Sequence, residues 1–122
     1  MKPTGGCGLV TVPSHEVCYL TTIGRRTGRP HRIEIWFLET EDAVYLFSGG
    51  GEASDWVRNL RHDPQVWLEL PGRPGRAYSA SIVDAPADLR RRMDVRYYGT
   101  DAEEEVTDWA RLATVVSLTP ST

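Results

Sequence analysis

Six short segments with the composition of β-strands account for much of this sequence, and tight turns separate most of them. The clearest is His31–Thr40, in which Ile33, Ile35 and Phe37 alternate with side chains of a different character. Alternation with a period of two is typical of a strand whose two faces differ. The other predicted strands are Glu16–Ile23, Ala43–Ser48, Gln65–Leu70, Arg76–Asp84 and Ala113–Leu118. Short strands that follow one another along the chain favour a small antiparallel barrel over a doubly wound parallel sheet.

Three short helices are predicted between these strands. The first spans Ser54–His62 and begins at a residue type that is favourable as an N-cap. The second spans Ala87–Tyr98, and we interpret its Arg90–Arg92 run as a solvated face. A capping-box pattern at Thr100 and Glu103 predicts the start of the third. The apolar stripe of that helix is formed by Val106, Trp109 and Ala110. The predicted fold class is therefore mainly β with short helices (α+β).

The size of the chain predicts a single domain. Its 122 residues are enough for one core and leave little for a second binding unit. Residues 1–15 contain glycines and prolines without periodicity, so we expect a loose arm there, followed by one domain over 16–122. The formal net charge is −3, which argues against a general nucleic-acid binder.

The cysteines and histidines show no metal or disulfide pattern. Cys7 and Cys18 lack the spacing of a disulfide framework and are interpreted as plain thiols in a reducing compartment. The histidines also lack metal-ligand spacing, so no metal site is predicted. No signal peptide is recognisable, and no apolar run is long enough to cross a bilayer. We therefore expect a cytoplasmic protein without stable membrane insertion.

A basic turn, Gly24–Pro30, follows the first strand and carries three arginines, among them Arg25 and Arg26. One interpretation is that these side chains only keep an exposed hairpin soluble. The other is a phosphate site, because the guanidinium fork matches phosphate oxygens bidentately. Arg26 lies between two glycines in a constrained turn. This favours the phosphate interpretation.

A glycine run, Ser48–Gly51, leads into the helix that begins at Ser54. It is either a plain connection or a place where a flat ligand approaches the backbone. The free N–H groups and positive dipole end of the helix face this run. Clustered cations and open N–H groups form a site for a phosphate-bearing ligand. The run is not the G-x-G-x-x-G fingerprint of a dinucleotide site.

Aromatic and amide side chains supply the remaining candidates. Trp56 and Asn59 lie on one side of the first helix. Trp56 serves either the core or a ligand. Asn59 either binds a polar ligand edge or ties down a loop as a buried amide. Tyr97 and Tyr98 line a pocket mouth or belong to the core.

The sequence resembles a known family in four connected stretches: YLTTIGRRTGRP, IEIWFL, YLFSGGG and SDWVRNLRHDPQVWLEL. It is similar to the deazaflavin-dependent nitroreductases and quinone reductases. These are split β-barrel proteins akin to the pyridoxamine-phosphate-oxidase-like, FMN-binding split barrels. The likeness runs from about Tyr19 to Leu70 and continues more faintly towards the C-terminus. It implies a six-stranded antiparallel split β-barrel.

The resemblance also implies coenzyme F420 as the cofactor, with its phosphodiester near Arg25, Arg26 and Thr27. Arg32 is the expected contact for the tail, although family members often carry arginine one position earlier, where this chain has His31. A shift of one residue turns a side chain to the opposite face of a strand. The implied ring contacts are Ile33, Glu34, Ile35, Ser48, Gly49, Gly50 and Gly51, and Trp56 and Asn59 complete the site.

The implied activity is transfer of a hydride from reduced deazaflavin to an electron-poor small molecule, such as a quinone, a nitroaromatic or an activated enone. Tyr97 or Tyr98 is the expected proton donor, with water as the competitor. Three alternatives remain: an FMN-dependent oxidoreductase, a non-catalytic carrier of F420, flavin or haem, and a structural dimer whose arginines bind anionic partners. A homodimer is expected, because Trp36 and Trp67 place apolar rings on polar strand faces.

Overall fold

The computed structural model describes residues 14–99 and 105–121. The strands are β1 (Cys18–Ile23), β2 (Pro30–Ile35), β3 (Phe37–Glu39), β4 (Val44–Ser48), β5 (Gln65–Glu69), β6 (Arg76–Val83) and β7 (Thr114–Pro120). They pair into one antiparallel sheet in the order β2-β1-β5-β6-β7-β4-β3. A 3-10 turn, Gly51–Ala53, precedes the helices α1 (Asp55–His62), α2 (Ala87–Tyr98) and α3 (Asp108–Leu112). The antiparallel, mainly β architecture is confirmed.

A break at Trp36 divides the strand predicted over His31–Thr40 into β2 and β3. The described sheet therefore has seven strands where six were predicted. These two strands occupy opposite ends of the sheet, so the sheet has to curl until its ends approach each other. Tyr97 of α2 braces the break, because its hydroxyl accepts a hydrogen bond from Phe37 N (3.1 Å) and donates one to the Glu16 carbonyl (2.8 Å).

Two clusters of buried apolar side chains hold the structure together. The first fills the curled sheet and includes Leu20, Leu46, Leu68 and Leu118, each at most 1% exposed. The second lies between the sheet and α2 and α3, and its most buried members are Met93, Ala110 and Val115. Burial of this apolar surface is the main favourable contribution to folding. The second cluster fixes α3 against the sheet, which becomes important for the site.

The arginine run of α2 differs from its interpretation as a solvated face. Arg90 donates hydrogen bonds to three main-chain carbonyls, those of Ala85 (3.2 Å), Ala110 (3.1 Å) and Ala113 (2.8 Å). The interpretation of Arg90 is therefore wrong: its guanidinium joins α2 to the end of α3. Periodicity alone did not indicate this, because two of the three acceptors, the carbonyls of Ala110 and Ala113, belong to a distant segment.

The start of the last helix also differs from the prediction. The hydroxyl of Thr107 accepts a hydrogen bond from Ala110 N (3.3 Å), which makes Thr107 the N-cap of α3. Val106 precedes the helix, so its assignment to the helical stripe is wrong. The capping-box residues Thr100 and Glu103 lie outside the described residues. Thr107 also donates to the fully buried carboxylate of Asp94 (2.6 Å), which ties the cap to α2.

Replacing Thr107 with alanine should lower the free energy of unfolding by about 1–2 kcal/mol, because both the cap and a hydrogen bond to a buried carboxylate are lost. Thr107→Ser keeps the hydroxyl and should stay within about 0.5 kcal/mol of the parent. Urea unfolding followed by circular dichroism measures both variants. An alanine variant as stable as the serine variant would show that the cap contributes nothing.

Candidate functional site

A cleft of about 420 Å³ opens where the basic turn meets the first turns of α1. We call it the basic cleft. It brings together six of the thirteen residues that were predicted to bind the cofactor. Its lining consists of Thr22, Gly24, Arg25, Arg26, Thr27, His31, Ile33, Asp55, Trp56 and Asn59.

Asn59 holds the basic turn against α1. Its side-chain oxygen accepts hydrogen bonds from Arg25 N (3.2 Å) and from the Arg25 guanidinium (2.8 Å). Its amide group donates to the hydroxyl of Thr22 on β1 (3.2 Å). Asn59 is only 5% exposed. This geometry matches the interpretation of Asn59 as a buried amide that ties down a loop, so Asn59 shapes the cleft.

The two neighbouring arginines of the turn have different partners. The Arg25 guanidinium bonds to Asn59 and also pairs with the exposed Asp55 carboxylate at 3.3 Å. Arg26 is exposed and lines the same cleft. Within residues 14–99 and 105–121 no hydrogen bond or ion pair engages its guanidinium. Of the two arginines that line the basic cleft, Arg26 is therefore the one that a ligand meets without displacing a contact to another described residue.

His31, rather than Arg32, faces the basic cleft. A Cβ atom added to Gly24 would lie 2.6 Å from His31 Nε2 and 2.9 Å from Thr27 Oγ1, so only glycine lets these side chains pack there. Arg32 donates to Glu69 (2.9 Å), and its guanidinium lies 3.9 Å from the centre of the Tyr19 ring, away from this cleft. His31 was not predicted as a site residue, although alternation along β2 puts it on the same face as Ile33.

The glycine run does not line the basic cleft. Ser48 is 2% exposed, and its hydroxyl bonds to the Gly51 carbonyl (2.9 Å) and to the hydroxyl of Ser54 (2.7 Å). Ser54 is the N-cap residue of α1, as predicted, but its side chain does not bond to the helix amides. Gly51 has a left-handed backbone, with φ of 66°. The described structure therefore does not bring the arginines and the glycines into one pocket.

Gly49 and Gly50 are exposed, and Gly49 serves a close approach. A Cβ atom added to Gly49 would lie 2.9 Å from Trp109 Cδ1, so the indole of Trp109 packs directly on the main chain. Trp109 belongs to α3, and it was predicted to lie on the apolar stripe of that helix. Its position brings α3 against the connection that follows β4.

Trp109 helps to form a second cleft, of about 280 Å³, which we call the aromatic cleft. Its rings meet at defined angles: Trp36 and Trp109 are edge to face at 5.4 Å, and Trp109 stacks on Phe47 at 5.5 Å. Two of the predicted ring contacts, Glu34 and Ile35, lie here. The complete lining is Val17, Glu34, Ile35, Trp36, Phe47 and Trp109.

The two tyrosines proposed as proton donors occupy different environments. Tyr97 is 5% exposed and stacks on Trp36 at 4.5 Å, and its hydroxyl bonds to main-chain groups. Tyr98 is 47% exposed, with its ring 5.6 Å from Trp36 and 5.8 Å from Trp109. Tyr98 therefore stands beside the aromatic cleft with a solvent-accessible ring, whereas Tyr97 supports the wall from behind.

The cysteine, the possible metal ligands and the helices among the described residues provide no additional candidate site. Cys18 is a buried free thiol, and burial raises its pKa to about 12, so it stays protonated; Cys7 lies outside the described residues. Across residues 14–99 and 105–121, no group of three or more histidine, cysteine, aspartate or glutamate side chains could hold a metal ion. None of the helices in those residues is long and apolar enough to span a bilayer.

Comparison with solved structures supports the fold. The chain is similar to a conserved hypothetical protein from Mycobacterium tuberculosis, with 26% identity, a TM-score of 0.70, and 89% of this chain and 75% of that one covered. It is also similar to an F420-H2 dependent reductase, with 20% identity, a TM-score of 0.63, and coverage of 90% and 99%. A third similar structure is a putative pyridoxamine 5'-phosphate oxidase from Listeria innocua, with 18% identity, a TM-score of 0.62, and 88% of this chain and 86% of that one covered.

These likenesses confirm the split β-barrel. Comparison with curated proteins gives no significant match. The family model described as F420H(2)-dependent quinone reductase matches residues 2–120. This match covers nearly the whole chain and agrees with the motifs of the basic turn, the glycine run and α1. The chain therefore belongs to the F420H(2)-dependent quinone reductase family.

Proposed function

We propose that this protein binds F420 with the phosphodiester in the basic cleft and the ring against β2 at the edge of the aromatic cleft, and uses it to reduce an electron-poor planar molecule, such as a quinone, a nitroaromatic or an activated enone. The observation that carries the proposal is the guanidinium of Arg26, which pairs with no described residue and lies in a cleft held open by Asn59. Family membership supports F420 as the cofactor.

The residues of the basic cleft fit the anionic part of this cofactor. Arg26 offers a guanidinium that no described residue engages, and Thr27 adds a hydroxyl beside it. Asp55 partly neutralises Arg25, so Arg26 is the main cation for a phosphodiester. The N-terminal turn of α1 contributes its dipole to the same cleft.

Strand β2 contributes residues to both clefts. His31 and Ile33 line the basic cleft from one face of the strand, and Glu34 lines the aromatic cleft from the other. A ligand that uses both clefts therefore has to cross the main chain of β2, so we expect its ring to lie against residues 33–35. This arrangement supports the proposal that Ile33, Glu34 and Ile35 border the ring, while Ser48–Gly51 shape the neighbouring wall through Trp109.

When bound, the reduced deazaflavin supplies the hydride from its C5. The chain supplies orientation and exclusion of water, because the rings of Trp36, Trp109 and Phe47 close one side of the aromatic cleft. Reduction of a quinone to a hydroquinone needs one hydride and one proton. We assign the proton to the hydroxyl of Tyr98 or to water at the same place, since Tyr98 stands beside the cleft. No side-chain nucleophile is required.

Titration of the full chain with F420, FMN and haem, each in a separate experiment, tests the proposal. We expect saturable binding of F420 at micromolar concentration and weaker binding of the other two. Tighter binding of FMN would indicate a flavin-dependent enzyme, and absence of F420 binding would end the proposal. Turnover of a quinone or a nitroaromatic with reduced F420 then distinguishes an enzyme from a carrier.

We also propose a cytoplasmic homodimer. The indole of Trp67 on β5 is 48% exposed, which is a large apolar surface for a strand face. The free thiol of Cys18 suits a reducing compartment. Light scattering of the purified chain measures the mass in solution. A monomer at all accessible concentrations would remove the dimer from the proposal without affecting cofactor binding.

A further inference from the structure

We infer that the aromatic cleft is the acceptor site and that it selects planar molecules by charge, with Glu34 disfavouring anionic acceptors. The inference rests on the proposed function, because it names the substrate class of the same site. It adds two statements: neutral and cationic aromatic compounds are the preferred ligands, and one side chain accounts for much of this preference.

The walls of the cleft are suited to a flat aromatic ligand because they are held firmly. Trp36 is stacked on Tyr97 with an angle of 7° between the rings. Trp109 is held between Phe47 and the main chain at Gly49. Such supported rings lose little conformational freedom when a ligand stacks on them or meets them edge to face. The shape therefore favours planar aromatic molecules.

The charge of the cleft comes from one residue. Glu34 is the only ionisable side chain among the described residues that line it. It is exposed, and no ion pair or hydrogen bond with another described residue engages its carboxylate. Arg32, two positions earlier on the same strand, bonds to Glu69 instead. The carboxylate of Glu34 can therefore interact electrostatically with a ligand in the aromatic cleft.

The two clefts consequently carry opposite charges. The basic cleft presents Arg26 and the paired Arg25, and the aromatic cleft presents Glu34. An anionic ligand is attracted to the first cleft and repelled from the second. At an exposed site, a contact between like charges changes an equilibrium constant by about three- to tenfold, and added salt reduces the effect.

Binding of an isosteric pair of nitroaromatics tests the inference without cofactor. The probes are para-nitrobenzenesulfonamide, which is neutral, and para-nitrobenzenesulfonate, which is anionic. NMR titration of the full chain, observed at the tryptophan indole N–H signals, gives both dissociation constants and the location. We expect the signals of Trp36 and Trp109 to shift while that of Trp67 stays in place. The sulfonamide should bind about three- to tenfold more tightly than the sulfonate at low salt.

Two variants and a matched control assign the preference to Glu34. Glu34→Gln should reduce the ratio of the two dissociation constants to about one, and Glu34→Lys should invert it. Glu41 is an exposed glutamate in the turn between β3 and β4, outside both clefts. Glu41→Gln should leave the ratio as in the parent. The same spectra report whether each variant is folded.

Three results would overturn the inference: no binding of the sulfonamide, equal affinities in the parent, or a ratio that Glu34→Gln leaves unchanged. A shift confined to Trp56 would place the ligand in the basic cleft and would overturn it as well. These outcomes are separable from failure of the proposed function. F420 binding with no discrimination between acceptors rejects only the role of Glu34, whereas discrimination without F420 binding rejects only the cofactor assignment.

Discussion

Replacing Arg26 with alanine should weaken F420 binding by about 5- to 150-fold, which corresponds to about 1–3 kcal/mol. The reason is that Arg26 lines the basic cleft and has no partner among the described residues that would compete with an anionic ligand. The fold should be unaffected, since the side chain is exposed. Fluorescence titration of F420 at fixed ionic strength measures the change.

Arg29 provides the matched control for this experiment. It belongs to the same turn and is also exposed, but it does not line the basic cleft. Arg29→Ala removes the same charge from the same loop and should change F420 affinity by no more than about twofold. If both variants weaken binding equally, the effect is general attraction by a basic surface, and Arg26 has no specific contact.

Replacing Asn59 with alanine should have the largest effect on stability, a loss of about 2–4 kcal/mol in the free energy of unfolding. The substitution removes the amide that donates to the buried Thr22 hydroxyl. It also removes the oxygen that accepts from the main-chain N–H and the guanidinium of Arg25. Leaving buried polar groups unsatisfied costs more than a single hydrogen bond contributes. The turn is then no longer pinned to α1, so F420 affinity should fall in the folded protein as well.

Two companion variants make this result interpretable. Asn59→Asp retains the oxygen that accepts from Arg25 and loses only the donor to Thr22, so it should recover part of the stability. Arg58→Ala alters the adjacent, exposed position on α1 and should stay within about 0.5 kcal/mol of the parent. Chemical unfolding measures all three. If Asn59→Ala is as stable as Arg58→Ala, the hydrogen bonds of Asn59 do not stabilise the basic turn against α1.

The elements of the fold were predictable from local signals. Alternation around Ile33 and Ile35 predicted a strand. The residues of α1 were predicted from the N-cap and proline signals at its ends, and those of α2 from apolar side chains at four-residue spacing. The division at Trp36 was not, because it depends on the hydroxyl of Tyr97, which lies far away in the chain and bonds to the main chain there. The same reason accounts for Arg90, because two of its three acceptors belong to α3 and the residue that follows it.

The candidate site follows the same division. Residue types and spacing predicted one site made of the basic turn, the glycine run and the start of α1, because guanidinium groups beside a helix start favour an anion. The described structure brings the turn to α1 but leaves the glycine run outside the basic cleft. Which of the two cleft arginines lacks a partner among the described residues was decided by folding, because the oxygen of Asn59 reaches Arg25 and not Arg26. The packing of Trp109 on Gly49 likewise joins segments that only the curled sheet brings together. Local spacing specifies the elements and the chemistry they carry, whereas side-chain partners depend on contacts between distant residues, which periodicity does not encode.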